Sequence, residues 1–280
     1  MSARDAWYEA LQSDHSAASR TAVVLLHGLC STPEELRAVD TPLRQLGCTV
    51  DALRIEGYAF DPAAAVQTAA PWSRWLDDIE RRVDALRATH DRVMLIGISA
   101  GAALALGTAI RCGDRIDGLV LMSTALRFDG WAIPRMHALL PLALYTPVGR
   151  FWRYRERAPF GVKNERVRAW IARELEQRRI SRAGSAVIGI GHLREHDRLR
   201  RHVRAHLDQV VCARVLVLHA REDEVASLEN VSLLARGLRC GSFRAVVLGN
   251  SFHMITIDND RHEVVRETTE FAAALAHDTA

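Results

Sequence analysis

Residues 92–112 read RVMLIGISAGAALALGTAIRC and decide the fold. After Arg92 the stretch is apolar on consecutive positions, which is typical of a strand covered on both faces. After Ser99 it is rich in alanine and leucine, which favour a helix. Between the two, residues 97–101 read GISAG, a G-x-S-x-G pattern. A serine at the tip of so sharp a turn needs small neighbours two positions away, so the pattern predicts a nucleophilic hydroxyl above a sheet.

The position of this pentapeptide makes it informative. Ordinary residue frequencies give G-x-S-x-G by chance in roughly one protein in ten of this length, so the pattern alone is weak. Here it stands between a buried strand and a helix, whose N-terminal amides and positive dipole end would face the serine. The interpretation of Ser99 as a nucleophile therefore depends on this context and on suitable partners farther along the chain.

Outward from this stretch, short aliphatic runs alternate with longer segments of helical spacing. The predicted strands are residues 21–27, 48–55, 92–98, 118–122, 214–219 and 243–248. Strands that alternate with helices predict crossover connections and a mostly parallel sheet. We therefore expect an α/β fold with a doubly wound sheet, built by a chain of 280 residues with one main core.

The alternation stops between residues 123 and 212, where helix-like segments are punctuated by prolines. Eight of the chain's 17 aromatic residues lie between positions 128 and 170. We predict a helical cap at 127–207, a core at 21–126 and 208–280, and an N-terminal extension at 1–20. Cap residues that are candidates for substrate contact are Trp131, Phe151 and Trp152.

Composition excludes several classes of protein. The N-terminal residues lack the apolar stretch of a secretory signal and no run approaches 18 apolar residues, so we expect a cytoplasmic protein without an integral membrane segment. The five cysteines are scattered and form no C-x-x-C pair, which argues against disulfides and structural zinc. We expect no metal, no organic cofactor and no nucleic-acid partner.

Positive charge is concentrated in one segment. Residues 150–204 hold 15 arginines and Lys163 against six acids, although the net charge of the chain is only +3. Two interpretations stay open: a solvated helical face, which is the simpler one, or a surface that steers anionic substrates or touches membrane phosphates.

The partners of Ser99 are sought after later strands. Residues 214–225 read RVLVLHAREDEV, and Asp223 is the candidate acid, with Glu222 and Glu224 expected to be solvated loop charges. The segment HAREDEV resembles the H-G-x-x-D-x-V segment of α/β hydrolases, in which the aspartate is the triad acid. Ala220 replaces the usual glycine of that segment.

The candidate base is His253, in the loop after the last predicted strand. Residues 250–258 read NSFHMITID, which is similar to the N-S-x-H-V-I-T-x-D signature of the carboxylesterase and monoacylglycerol lipase branch, within the serine aminopeptidase S33 type. A buried structural histidine is the alternative. The resemblance implies a Ser99, His253, Asp223 triad.

His27-Gly28-Leu29, directly after the first strand, resembles the oxyanion loop of these hydrolases. The resemblance implies that the oxyanion hole consists of the Leu29 and Ala100 amides. The His27 side chain is expected to brace the loop. Residues 33–36 and 72–76 also resemble the family, whereas Ala102 stands where a glycine is common and the cap has no recognisable match.

These residues predict a serine hydrolase that cleaves carboxylic esters through an acyl-enzyme intermediate. The expected partner is a small-molecule ester with an apolar acyl or alcohol part, and the sequence does not predict the oligomeric state. Three alternatives remain: acyl transfer with the same triad, cleavage of C–C or other acyl bonds, and a non-enzymatic ligand receptor on a hydrolase scaffold.

Overall fold

The computed structural model describes residues 20–64, 66–134, 139–147, 149, 153–178, 180–181 and 184–277. The predicted N-terminal extension, except for Arg20, lies outside these residues, as do Phe151 and Trp152. In the described part of the chain no helix is both long enough and apolar enough to cross a membrane.

Outside the insertion that follows Met122, the strands alternate with helices along the chain, as the hydrophobic pattern predicts. The strands are β1 Thr21–Leu26, β2 Thr49–Ala52, β3 Arg92–Ile98, β4 Gly118–Met122, β5 Arg153–Arg155, β6 Ile180–Ser181, β7 Gly184–Ser185, β8 Val187–Gly189, β9 Val211–Ala220 and β10 Arg239–Leu248. The α-helices are α1 Arg37–Gln45, α2 Trp72–Arg87, α3 Ala100–Cys112, α4 Leu140–Tyr145, α5 Glu165–Arg178, α6 Ile190–Ala205, α7 Glu229–Gly237 and α8 Arg261–Ala276.

The central sheet has the order β10-β9-β4-β3-β1-β2, and every neighbouring pair is parallel. The register places Leu26 beside Gly97, Ile98 beside Met122, and Met122 beside Leu218. Because the strands are parallel, the loops that follow them open at one edge of the sheet. The predicted α/β class with a parallel sheet is confirmed.

Alternate residues of the strands point into two separate cores. In β1, Val24 and Leu26 pack into the core on one face, whereas Val23 and Leu25 pack into the core on the other. Helices α2, α3 and α6 cover the first face, and α1 and α8 cover the second. Burial on both faces explains why the sequence of β1 is continuously apolar.

The strands at the two sides of the sheet differ most from the sequence-based expectation. Strand β2 is shorter than predicted, and β9 and β10 begin three and four residues earlier than predicted, at Val211 and Arg239. Most of β10 is exposed or only half-buried, since it is the last strand at one edge of the sheet. The apolar pattern that identifies an interior strand is therefore missing from its first half.

The insertion between β4 and β9 is not purely helical. Besides α4, α5 and α6 it contains two short antiparallel ladders, β5 with β8 and β6 with β7. Ladders of two or three residues are too short to leave a periodic pattern in the sequence. The division into core and cap stays a prediction, and the packing of Leu199 and Val203, in α6, into the core beside α3 supports placing α6 with the core.

Candidate active site

Ser99 occupies a strained turn between β3 and α3. Its backbone has φ 55° and ψ −115°, a left-handed conformation that non-glycine residues rarely adopt. Its amide donates a hydrogen bond of 2.9 Å to the Met122 carbonyl, which ties the turn to the neighbouring strand. A Cβ atom at Gly97 would overlap the Gly101 backbone, and one at Gly101 would overlap the Leu26 carbonyl. The two glycines of the pattern are therefore sterically required.

The structure brings Ser99, His253 and Asp223 together. The Ser99 Oγ lies 2.8 Å from Nε2 of His253, within hydrogen-bonding distance. The other ring nitrogen, Nδ1, lies 2.8 Å from one Asp223 oxygen and 3.0 Å from the other. This order of contacts fixes the tautomer, because Nδ1–H donates to the carboxylate and leaves Nε2 free to accept the serine proton.

The Asp223 carboxylate is buried, with 3% of the residue exposed, and is held by several donors. The amides of Val225 and Ala226 each donate a 2.8 Å hydrogen bond to one of its oxygens. Burial alone would raise the pKa of Asp223, but His253 and these hydrogen bonds hold it below its usual value. The group is thus ionised opposite the imidazole.

A second buried histidine lies beside the same carboxylate. His219, at the end of β9, has its Nε2 atom 2.7 Å from the Ala226 carbonyl and 3.5 Å from Asp223. Burial lowers the pKa of His219, so the ring is neutral and its Nε2–H donates to the carbonyl. Its contact orders the loop that carries Asp223.

Two further acids influence His253. Burial alone would lower the pKa of His253. The negative charges of Asp223, Glu224 and Glu35 outweigh this effect and raise the pKa to about 9. Glu224 also accepts a 3.0 Å hydrogen bond from the His253 amide. The expectation that Glu224 is a solvated loop charge is wrong, since only 4% of it is exposed and burial raises its pKa. Glu222, in contrast, has a side chain 48% exposed.

The candidate oxyanion donors are the amides of Leu29 and Ala100, and their hydrogens are unused. In the loop after β1, the Gly28 amide donates to the Glu35 carboxylate, the Cys30 amide to the Tyr58 carbonyl and the Ser31 amide to the Gly28 carbonyl. Among the hydrogen bonds of the described residues, the Leu29 amide donates none. Ala100 is the first residue of α3, and amides in the first turn of a helix have no partner within the helix.

His27 braces this loop, as the sequence predicts. Its Nδ1–H donates a 2.8 Å hydrogen bond to the Gly28 carbonyl, and its ring packs against Tyr58 with 5.2 Å between centroids. Burial lowers the pKa of His27 to about 4, so the ring is neutral near pH 7. The Tyr58 hydroxyl in turn donates to the His27 carbonyl at 2.7 Å.

Trp131 lies at the contact between the insertion and the acid loop, which is the loop after β9 that carries Asp223. Its Nε1–H donates a 2.9 Å hydrogen bond to the Glu222 carbonyl, and its ring packs edge-on against Phe252 at 5.5 Å. The residue is 62% exposed. This places the indole next to the loops that carry Asp223 and His253, and its contact with substrate stays a prediction.

Several basic residues of the segment 150–204 are already paired. Arg198 contacts Glu195 at 2.6 Å, Arg201 contacts Asp197 at 2.8 Å, and Lys163 contacts Glu222 at 2.8 Å. Such pairs favour the solvated helical face over an anion-binding surface. In the residues that the structure describes, no group of three or more His, Cys, Asp or Glu is arranged to hold a metal ion.

The sequence missed the buried acids around the triad. Glu34 and Glu35 are adjacent in the sequence PEEL, and nothing in that pattern shows that Glu35 is buried while the Glu34 side chain is 56% exposed. Glu224 is hidden in the same way, between Asp223 and Val225 in an acidic run. An acidic run of two or three residues in a loop or in a single 3₁₀ turn shows no periodicity from which the buried member could be identified.

The chain is similar to proteins that are already known. The family model described as "Serine aminopeptidase, S33" matches residues 17–260. The thermostable monoacylglycerol lipase of Bacillus sp. (strain H-257) is 26% identical over 254 residues, which are 91% of each chain.

Solved structures show the same fold. A chain from the study of LipS and LipT, two metagenome-derived lipolytic enzymes, superposes with a TM-score of 0.73 at 23% identity, covering 91% of this chain and 94% of that one. Monoacylglycerol lipase from Paleococcus ferrophilus superposes with a TM-score of 0.71 at 18% identity, covering 92% and 95%. The chain therefore belongs to the serine aminopeptidase S33 family of α/β hydrolases.

Proposed function

We propose that this protein is a serine hydrolase that cleaves carboxylic esters through an acyl-enzyme intermediate, with Ser99, His253 and Asp223 as its catalytic residues. The observation that carries the proposal is the position of the His253 ring, which lies 2.8 Å from the Ser99 hydroxyl on one side and 2.8 Å from the Asp223 carboxylate on the other. The similarity to a monoacylglycerol lipase supports esters as the substrate class.

In the first half of the reaction, neutral His253 accepts the Ser99 proton while Oγ bonds to the carbonyl carbon of the ester. The carbonyl π electrons move onto oxygen, where the Leu29 and Ala100 amides stabilise the negative charge. Each such donor typically contributes about 3 kcal/mol to the transition state. When the tetrahedral intermediate collapses, the C–O bond to the alcohol breaks and His253 returns the proton to the leaving oxygen.

In the second half, water repeats the attack on the acyl-enzyme. His253 accepts a proton from water, the hydroxide oxygen bonds to the acyl carbon, and Ser99 leaves with the proton that His253 returns. Asp223 stays ionised throughout and stabilises the imidazolium that forms twice. The products are an alcohol and a carboxylic acid, and every proton is accounted for by His253 and water.

The substrate carries an apolar acyl or alcohol part in this proposal. The Trp131 indole and the Phe252 ring lie beside the loops of Asp223 and His253, and apolar walls with few polar groups are typical of such sites. The cap and a cytoplasmic location are predictions from the sequence that accompany this function.

The proposal is tested with a fluorophosphonate probe and with p-nitrophenyl esters of increasing acyl length. We expect the probe to label the wild type and not Ser99→Ala, and ester turnover to fall at least about a thousandfold in Ser99→Ala and His253→Ala. Ser242→Ala and His262→Ala, at exposed positions, are matched controls and keep activity. Undiminished turnover in Ser99→Ala would refute the mechanism.

The same assay separates the rival reactions. With an alcohol acceptor added, an acyltransferase yields mainly the new ester, whereas a hydrolase yields mainly the acid. A protein that binds esters without turnover and without probe labelling would be a receptor on a hydrolase scaffold.

A further inference from the structure

Glu35 is a buried acid that the mechanism above does not use. It lies in the short 3₁₀ helix Pro33–Leu36, with only 3% of the residue exposed. Its carboxylate accepts the hydrogen bond of the Gly28 amide, in the loop after β1. Burial raises the pKa of Glu35 to about 7, although the Gly28 hydrogen bond and His253 act in the opposite direction. Burying an acid costs folding free energy unless hydrogen bonds compensate for the lost water, and here the Gly28 amide provides one.

The contact is close and involves both oxygens. A Cβ atom built at Gly28 would lie 3.1 Å from Oε2 and 3.2 Å from Oε1 of Glu35. The carboxyl group therefore covers the Gly28 backbone, and a glycine is the residue that lets it approach. The position of Glu35, together with the shape of the loop, therefore accounts for the glycine at position 28.

Constraints on both sides of Gly28 fix the orientation of the peptide that joins it to Leu29. Planar peptide units leave two torsions per residue, so fixing the Gly28 amide on one side and its carbonyl on the other restricts where the Leu29 amide points. The Gly28 carbonyl is held by His27 Nδ1 and by the Ser31 amide, at 2.8 Å and 3.2 Å. Glu35 supplies the constraint at the remaining end.

We propose that Glu35 is a positioning residue of the oxyanion hole: its buried carboxyl group holds the Gly28 amide so that the Leu29 amide points at the oxygen of the reacting ester. This inference rests on the proposed function. Glu35 touches neither the substrate nor the reacting atoms and acts through the loop backbone. A hydrogen-bond acceptor is needed at this position, whereas its negative charge is not.

Two substitutions separate the acceptor from the charge. Glu35→Gln keeps an acceptor oxygen for the Gly28 amide and removes the charge, and Glu35→Met keeps the length of the side chain and removes the acceptor. We expect Glu35→Met to lower kcat about tenfold to a hundredfold with KM changed less than about twofold, since a misdirected donor costs less than the hundredfold to thousandfold of a deleted one. Both variants are compared on the plateau of the pH profile, because removing the Glu35 charge also lowers the pKa of His253. There Glu35→Gln should keep kcat within about threefold of the wild type. Glu34→Met, one residue away and exposed, is the matched control and keeps kcat and KM.

A trifluoromethyl ketone gives a second readout, because Ser99 adds to its carbonyl carbon, His253 takes the proton and the resulting oxyanion occupies the same hole. Its dissociation constant should rise in Glu35→Met by about the factor by which kcat/KM falls, and stay near the wild-type value in Glu35→Gln. A purely structural role would lower the melting temperature and the yield of active protein without this parallel.

Unchanged kcat and unchanged ketone affinity in Glu35→Met would overturn the inference, as would a Glu35→Gln variant as impaired as Glu35→Met. If Glu35→Met does not fold, Gly28→Ala strains the same contact from the loop side, since its methyl group would lie 3.1 Å and 3.2 Å from the two carboxyl oxygens. Unaltered kcat and ketone affinity in that variant also overturn the inference. A wild type that neither turns over esters nor binds the ketone contradicts the proposed function instead.

Discussion

The backbone amide of Lys163, in the insertion, donates a 2.7 Å hydrogen bond to the Asp258 carboxylate, in the loop that carries His253. Asp258 is fully buried and also accepts 2.9 Å hydrogen bonds from the amides of Asn164 and Phe252. One carboxylate thus joins the insertion to the residue that precedes His253. The Met254 amide adds a second link, 2.7 Å from the Gly161 carbonyl.

Removing this carboxylate should weaken both stability and turnover. In Asp258→Ala, three half-buried amides lose their acceptor, and leaving a buried donor unsatisfied costs about 1–3 kcal/mol. We expect the free energy of unfolding to fall by about 3 kcal/mol or more, and kcat to fall with it because His253 loses its fixed position. Urea denaturation and steady-state kinetics measure the two effects. Asn259→Ala, which removes one exposed side-chain hydrogen bond to Asn164, is the control, and equal stability of the two variants would contradict the assignment.

The glycines of the serine turn should tolerate no side chain. Gly101→Ala places a methyl group against the Leu26 carbonyl oxygen. The backbone of both residues is packed, so neither group can move aside. We expect insoluble protein or a loss of unfolding free energy at or above the 1–3 kcal/mol typical of overpacking. Gly249→Ala is the control, since a Cβ atom there meets nothing within 4 Å. A soluble Gly101→Ala variant with the wild-type melting temperature would show that the turn is looser than described.

The pH dependence should follow the acids around His253. The ring must be neutral to accept a proton, and its pKa is raised to about 9 because Asp223, Glu224 and Glu35 outweigh burial, so kcat/KM rises with pH through that region. His219 and Glu156 also interact electrostatically with the His253 ring.

Glu224→Gln should move this rise to lower pH. The substitution removes a negative charge that favours the imidazolium, and the amide oxygen can still accept the hydrogen bond of the His253 backbone. A pH profile of kcat/KM measures the shift, with Glu222→Gln, at a half-exposed position, as the control. A shift toward higher pH would reverse the sign of the argument and contradict it.

Of the three neighbouring acids at positions 222–224, we expect Asp223 alone to act as the acid of the triad. Asp223→Asn removes the charge opposite the imidazolium and permits the wrong histidine tautomer, which in comparable enzymes costs about ten-thousandfold in kcat. We expect a loss of this order by steady-state kinetics at saturating ester, while Glu222→Gln keeps kcat. The reverse pattern would assign the acid to Glu222.

The interior strands and the positions of Ser99, Asp223 and His253 could be predicted from the sequence for a common physical reason. Interior strands such as β3 are apolar on both faces, and the order serine, acid, histidine places each residue after a strand that ends at the same sheet edge. A motif near a strand end is thus sufficient to locate Ser99, Asp223 and His253 in space. The first half of the edge strand β10 and the short ladders of the insertion gave no such signal, because half-exposed or very short strands carry no pattern.

The burial of Glu35 and Glu224 was also beyond the sequence. Each lies next to another acid, and only the packing against other segments decides which carboxylate enters the interior. Glu35 is covered by the loop after β1, and Glu224 by the loop of His253. Such contacts depend on the folded structure, and local propensity does not encode them.

The ion pair between Lys163 and Glu222 involves the single lysine of the whole sequence. Its amine sits at the seam between the insertion and the acid loop, so an amine-directed dye would be the only lysine-borne fluorophore on the molecule. The emission of that single fluorophore would report on the surroundings of the contact between the two segments, with and without an added ester.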